Sequence, residues 1–220
     1  DHLVAAMAME AAGEDPTAFN YLGYDATSSQ NEEPKASLQS LRVPQTLLYV
    51  GNNRPHKNLE RLLAAVGELS KCREFSLVIA GHISQRFFPV EDTVGKLGLG
   101  DVVTIVRSPD EGVLENLYGS SVALVQPSLS EGFGLPLLEA MHHELAIVCS
   151  ENTCYPEVAG DAALYFDPLD EEDIAAKLCA VLDYAAVRER LVQAGRLRLR
   201  DFSWFSTCER LVHEFVRSGR

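Results

Sequence analysis

An α/β domain with a doubly wound parallel sheet is the fold this sequence predicts, and three features point to it. From residue 45 onward, short apolar runs rich in β-branched residues alternate with longer stretches of helical spacing. Glycine or proline, as at Gly51, Gly81 and Pro127, marks the ends of several runs. The final third is helical in pattern. Strands that alternate with helices need crossover connections and hence run parallel, and such sheets bind ligands beyond the carboxyl ends of their strands.

Residues 2–12 (HLVAAMAMEAA) are rich in helix formers and stop at Gly13, which suits a helix with a glycine cap. A short strand is expected at 18–22, and the polar run 27–35 (TSSQNEEPK) is expected to be a connector because it has no periodic apolar face to bury. Strands are predicted at 46–50, 75–80, 102–106, 121–126, 145–149 and 162–166. The first leads through a turn at 51–57 into a helix opened by Asn58, with Leu59, Leu62, Leu63 and Val66 on one face. Helices at 88–97 and 110–119 separate later strands, and helices at 171–184, 186–200 and 204–217 close the chain, with Gly195 a soft point in the second of these. Asp170 is expected to cap the helix from Glu171 rather than to pair with Asp167 on a metal.

A chain of 220 residues can form one large α/β domain with a proper core. Its 46% apolar content is ordinary for a globular protein, and no apolar run approaches the ~20 residues that cross a bilayer. A formal charge of −13 argues against nucleic-acid binding, which needs a basic footprint. The local cluster Arg188, Arg190, Arg196, Arg198 and Arg200 is either a solvated helix face or a contact for an anionic membrane surface. Five cysteines without a C-x-x-C pair fit no closed disulfide framework and suit a reducing cytoplasm. The histidines are scattered, so no metal site is expected. The chain starts at Asp1 with neither an initiator Met nor a signal-peptide pattern, which reads as a piece of something longer.

Residues 126–141 (QPSLSEGFGLPLLEAM) join a strand end, a glycine-bearing turn and a helix start. Gly132 and Gly134 allow backbone angles that other residues resist and let a ligand approach the main chain. Pro136 fits a helix's first turn, and that helix would aim unpaired N–H groups and a positive dipole end at the turn, as a phosphate site requires. Glu131 and Glu139 bracket the turn; eight residues at helical rise span about 12 Å, too far to share a proton. They suit hydroxyls at opposite ends of an elongated ligand. Taken singly, Glu131 as a helix cap and Glu139 as a solvated helix residue would explain them equally.

The whole segment S-E-G-F-G-L-P-L-L-E-A-M, with seven residues between its glutamates, resembles the signature of the group one family of retaining, nucleotide-sugar-dependent glycosyltransferases of the GT-B fold. The resemblance implies that Glu131 lies by the donor sugar as the catalytic residue and that Glu139 binds the ribose. It also implies that the backbone of Gly132, Phe133, Gly134 and Leu135 meets sugar and diphosphate.

A second constellation, Y-V-G-N-N-R-P-H-K-N-L, places Arg54 and Lys57 in the loop after the first strand. An Arg/Lys pair suits the charge on a leaving nucleoside diphosphate, although ordinary surface charge explains the loop taken alone. Family members carry Arg directly after the glycine; here Asn52 follows Gly51, so that position is vacant or its role has moved to Arg54, whereas Lys57 matches. The loop is most similar to a branch with G-N-x-x-P-x-K-N-L, often mannosyltransferases of surface polysaccharide assembly. The loop Arg107-Ser108-Pro109-Asp110 corresponds to the place where the family holds the base, so Arg107 either stacks on the base or is solvated. Glu157 in C-Y-P-E-V-A-G resembles a family P-E-(I/V) segment with a short helix near the donor.

N-Y-L-G-Y-D at 20–25, Y-F-D-P-L-D-E-E-D-I-A at 165–175 and F-S-W at 202–204 resemble further family segments. They imply three parts: 1–44, the end of a preceding region with a connector; 45–200, a Rossmann-like nucleotide-sugar-binding domain, the C-terminal half of a GT-B fold; and 201–220, a helix that packs toward a missing N-terminal domain. The implied function is transfer of a sugar such as mannose from GDP-mannose or another nucleotide sugar to a hydroxyl acceptor in surface polysaccharide or glycan assembly. Fixed positive charge replaces a metal, and no cofactor is expected. The implied partners are the nucleotide sugar donor, the N-terminal acceptor domain of the same chain, and the inner face of a membrane by peripheral contact from the cytoplasm. These residues alone are expected to bind donor nucleotide weakly and transfer no sugar, with Glu131 orienting the sugar rather than attacking it. Two rival readings remain: a nucleotide-sugar epimerase of the same fold, and a non-catalytic nucleotide-binding module.

Overall fold

Six apolar runs become six parallel strands because each is short and followed by a stretch that folds as a helix, and the central strands are buried on both faces while the edge strand Val103–Arg107 is partly exposed. The computed structural model describes residues 45–202 together with 212, 213, 216 and 217. The helix expected at 2–12, the strand at 18–22, the connector at 27–35 and most of the closing helix at 204–217 lie outside the described residues. Residues Val43–Leu199 cluster as one compact unit, distinct from Asp1–Arg42 with Arg200–Arg220.

The strands are β1 (Gln45–Val50), β2 (Phe75–Gly81), β3 (Val103–Arg107), β4 (Ala123–Gln126), β5 (Ala146–Ser150) and β6 (Ala163–Phe166), in the spatial order β3-β2-β1-β4-β5-β6. Every neighbouring pair is parallel, with Leu47 opposite both Leu77 on β2 and Ala123 on β4. The chain winds outward from β1 in one direction and then returns to start β4 on its other side. The order therefore reverses between β1 and β4, and the crevice beyond their carboxyl ends is where a sheet of this kind takes a ligand.

The helices are α1 (Leu59–Ser70), α2 (Val90–Lys96), α3 (Glu111–Ser120), α4 (Leu135–His142), α5 (Tyr155–Ala159), α6 (Glu171–Asp183) and α7 (Ala185–Leu199). On α1 the buried residues Leu59, Leu62, Leu63, Val66 and Leu69 follow helical spacing, and they pack with Leu47, Tyr49, Leu77 and Ile79 of the sheet and Ile174, Leu178 and Val181 of α6. Each such leucine contributes roughly 1.5–3 kcal/mol by leaving water. Asp110 and Asp170 cap α3 and α6: Asp110 accepts from the Val113 amide at 2.8 Å, and Asp170 from those of Glu172 and Asp173.

Three details refine the expectations. Gly195 does not soften α7, which runs through it; a Cβ there would lie 3.2 Å from Met141 Cγ, so glycine lets α7 approach α4 closely. Gly81 is more than an exit turn: at φ +136°, an added Cβ would collide with the carbonyl oxygen of Gly51, because the chains leaving β1 and β2 cross with only backbone between them. In the basic cluster Arg190, Arg196 and Arg200 are exposed, as on a solvated helix face, while three of the arginines also bond to the protein. Arg188 donates to the carbonyls of Val181 and Leu182 near the end of α6, Arg198 to those of Glu157 and Val158, and Arg196 pairs with Glu144 at 2.6 Å. Guanidinium groups satisfy free helix-end carbonyls in this way. Among the described residues no helix is long and apolar enough to cross a membrane.

Candidate active site

The loop after β1 and the turn after β4 are tied together at the point where the strand order reverses. Pro55–Lys57 form a 3₁₀ turn that ends at Asn58, which sits in the left-handed region at φ 57°, a conformation asparagine tolerates better than most residues. The buried Asn58 amide donates to the carbonyls of Pro127 at 3.0 Å and Pro168 at 2.8 Å. The Leu129 amide donates to the His56 carbonyl at 2.7 Å. These bonds bring Lys57 to the turn after β4, where its Nζ meets Oε1 of Glu131 at 2.5 Å, with both side chains only 14% exposed. Two groups 74 positions apart in sequence thus share one charge-assisted hydrogen bond.

Glu131 has further neighbours. Its Oε1 also accepts from the Tyr155 hydroxyl at 3.3 Å, and its amide donates to Thr153 Oγ1 at 3.2 Å. Burial raises the Tyr155 phenol pKa well above the ordinary range and the Glu131 charge raises it further; the same two causes act on Tyr49. Both phenols are therefore neutral donors, and Tyr49 spends its proton on the Asn52 carbonyl at 2.6 Å. Glu131 does not cap the next helix: the N-cap of α4 is Gly134 at φ 93°, with no side-chain cap. Gly134 is required twice over, by that angle and because a Cβ would lie 2.7 Å from the Tyr155 ring. At Gly132 a Cβ would meet nothing within 4 Å, so the turn is open on that side. Phe133 and Leu135, at the turn's rim, are exposed.

Pro136 falls in the first turn of α4, and Glu139 in its second. Glu139 is half-buried rather than fully solvated. Its Oε2 accepts from the Tyr118 hydroxyl of α3, and burial raises its pKa while that bond lowers it. Tyr118 is itself buried and lies flat against the His143 ring, with centroids 5.1 Å apart and planes 4° apart. The two glutamates are thus held by different partners, Glu131 by Lys57 and Glu139 by Tyr118.

The remaining predicted residues do not join this pair. Arg54 lies beside the loop with its guanidinium 5.5 Å over the Phe87 ring and its amide on Asn52 Oδ1. Arg107, at the end of β3, pairs with Glu91 of α2 on the surface. Ser108 follows in the left-handed region at φ 44°, its amide on the Gly81 carbonyl at 2.9 Å. β3 stands two strands from β1, about 10 Å away at ordinary strand spacing. Glu157 lies in the first turn of the short helix α5. Among the described residues no group of three His, Cys, Asp or Glu side chains is placed to hold a metal ion. Sequence reading missed Asn58 as a tie, and Tyr118, Thr153 and Tyr155 altogether; Tyr155 stands two residues before the noted Glu157, and Tyr118 is the one large aromatic of its helix.

The sequence profile of the family described as "Glycosyl transferases group 1" matches residues 30–198. The chain belongs to that family. Among relatives, it is 33% identical over 175 residues to "O-antigen chain mannosyltransferase B" of Escherichia coli, covering 76% of this chain and 45% of that protein. It is 33% identical over 168 residues to "MMP alpha-(1->4)-mannosyltransferase" of Mycolicibacterium hassiacum, covering 74% and 41%. The chain thus spans less than half the length of either relative. Its fold matches sucrose-phosphate synthase from Thermosynechococcus elongatus with TM-score 0.71 and 24% identity, over 80% of this chain and 46% of that one. It also matches the C-terminal domain of the group 1 family protein LpcC from Francisella tularensis, with TM-score 0.64 and 24% identity, over 72% and 87%. The fold is the Rossmann-like C-terminal half of a GT-B glycosyltransferase.

Proposed function

We propose that this chain is the donor-binding half of a retaining glycosyltransferase that moves a hexose, mannose first, from a nucleoside-diphosphate sugar to a hydroxyl of a growing surface polysaccharide. The single observation behind this reading is the meeting of Lys57 and Glu131 at the sheet's reversal point, 2.5 Å apart beside a turn that is open at Gly132. Lys57 and the amides at the start of α4 receive the diphosphate, Glu131 orients the sugar, and Glu139 accepts from the ribose hydroxyls. Arg54 stands by for the outer phosphate, and the loop at Arg107 and Ser108 receives the base. In the reaction the acceptor oxygen bonds to the anomeric carbon while the bond from that carbon to the diphosphate breaks. The electron pair leaves on the diphosphate, where Lys57 stabilises it, and the hydroxyl proton passes to an oxygen of the departing diphosphate. Mannose is favoured by the names of both relatives. Completion of the site by an acceptor-binding domain is part of the proposal.

Calorimetric titration with GDP, UDP and their sugars, beside a transfer assay, tests the reading. The expected result is weak but measurable binding of one nucleoside diphosphate by these 220 residues without transfer. Glu139→Ala should abolish that binding; unchanged affinity would reduce the chain to a scaffold, and turnover by these residues alone would contradict the division of labour.

A further inference from the structure

We infer that Tyr118 is a positioning residue for nucleoside recognition: its hydroxyl fixes the Glu139 carboxylate so that the second carboxylate oxygen is presented to a vicinal diol. The inference depends on Glu139 binding the ribose, as proposed. Tyr118 is the one buried residue of the ten in α3. A phenylalanine would fill the same space, and only the hydroxyl distinguishes tyrosine. A buried hydroxyl needs a partner, and this one finds Oε2 of Glu139, 21 residues further on, rather than a backbone carbonyl. The ring is fixed from its other side by the parallel stack on His143, which lies one helical turn beyond Glu139.

The two ends of this contact are unequal. Burial and the neighbouring carboxylate keep the Tyr118 phenol protonated, so it is always the donor. Among the described residues, Oε1 of Glu139 has no hydrogen-bond partner. One oxygen is therefore occupied and the other remains an acceptor. The bond to Oε2 stops rotation of the carboxylate plane before a ligand arrives, which lowers the ordering cost of binding. It also favours the charged form that a diol's two O–H groups require. Without the hydroxyl, Glu139 keeps its place on α4 and loses its fixed plane.

The test compares two ligands on two proteins. Whichever of GDP or UDP binds more tightly is titrated into the chain alongside its 2′,3′-dideoxy counterpart, and both titrations are repeated with Tyr118→Phe. The wild type should prefer the ribose form. Tyr118→Phe should weaken binding of that form on the order of tenfold, the usual scale for a hydrogen bond to a charged group, and leave the dideoxy form unchanged. Preference retained in Tyr118→Phe, or an equal loss for both ligands, overturns the positioning role while the assignment of Glu139 stands. A wild type that does not distinguish the two ligands overturns both. If Tyr118→Phe loses cooperative unfolding, 3-fluorotyrosine at position 118 keeps ring and hydroxyl. Its fluorine resonance should then shift with the ribose form and not with the dideoxy form, and identical shifts would refute the inference.

Discussion

Replacing Glu131 by Gln should tighten nucleoside diphosphate binding. Lys57 and Glu131 form an ion pair at 2.5 Å with 14% of each side chain exposed. At an effective dielectric near 20, two unit charges about 4 Å apart attract by roughly 4 kcal/mol, and the loss of hydration on burial cancels most of that. A net value of about 1–2 kcal/mol is reasonable for a charge-assisted bond in this setting. For Lys57 to serve a diphosphate, its ammonium has to turn away from the Glu131 carboxylate, so that energy opposes binding. Glutamine keeps the shape and an acceptor oxygen but removes the charge, and affinity should rise about 5- to 30-fold. Lys57→Ala should weaken the same ligand at least tenfold, and adding Glu131→Gln to it should give no recovery. Titration calorimetry with GDP and UDP on the three variants measures all of this. Unchanged or weaker binding by Glu131→Gln would show that the carboxylate does not compete with the diphosphate for Lys57, and the placing of the phosphates would have to be abandoned.

Burial raises the Glu139 pKa, so the folded chain holds that proton more tightly than the unfolded chain does. The stability contributed by this group is full below the ordinary carboxylate range and declines as pH rises through the raised value. Urea unfolding between about pH 4 and pH 7 should therefore show a downward component in the wild type that Glu139→Gln lacks, and superimposable profiles would remove the burial argument. Gly134→Ala should cost about 1–3 kcal/mol of stability, because of φ 93° and the Tyr155 ring. Gly132→Ala should stay within about 0.5 kcal/mol of wild type and instead weaken nucleotide binding, since its Cβ would enter only the open side of the turn. Thermal and urea melts with parallel titrations separate the two glycines. Gly81→Ala should give no folded, soluble protein, because the added carbon has no space beside the Gly51 carbonyl; a cooperative melt near the wild-type midpoint would contradict the close crossing.

Much of the scaffold could be read directly from the chain. Runs such as Leu47-Leu48-Tyr49-Val50 and Ala146-Ile147-Val148 bury both faces, and that requirement is written in consecutive residues, so all six strands appear within two residues of their predicted ends. Caps such as Asp110 and Asp170 are equally local, since a carboxylate and the amides two or three positions on need no distant partner. The resemblance carried by the S-E-G-F-G-L-P-L-L-E-A-M and P-H-K-N-L segments also marked Glu131, Glu139 and Lys57 for attention.

Which groups touch was decided only when the sheet closed. Lys57 reaches Glu131 because β1 and β4 become neighbours and Asn58 ties their loops, and Glu139 finds Tyr118 because α3 and α4 flank the same strand. A contact across 21 or 74 positions leaves no periodic trace along the chain. The glycines divide along the same line: at position 134 a turn conformation makes glycine expected, whereas at 81 and 195 its necessity comes from backbone and side chains that only the packed tertiary structure brings alongside.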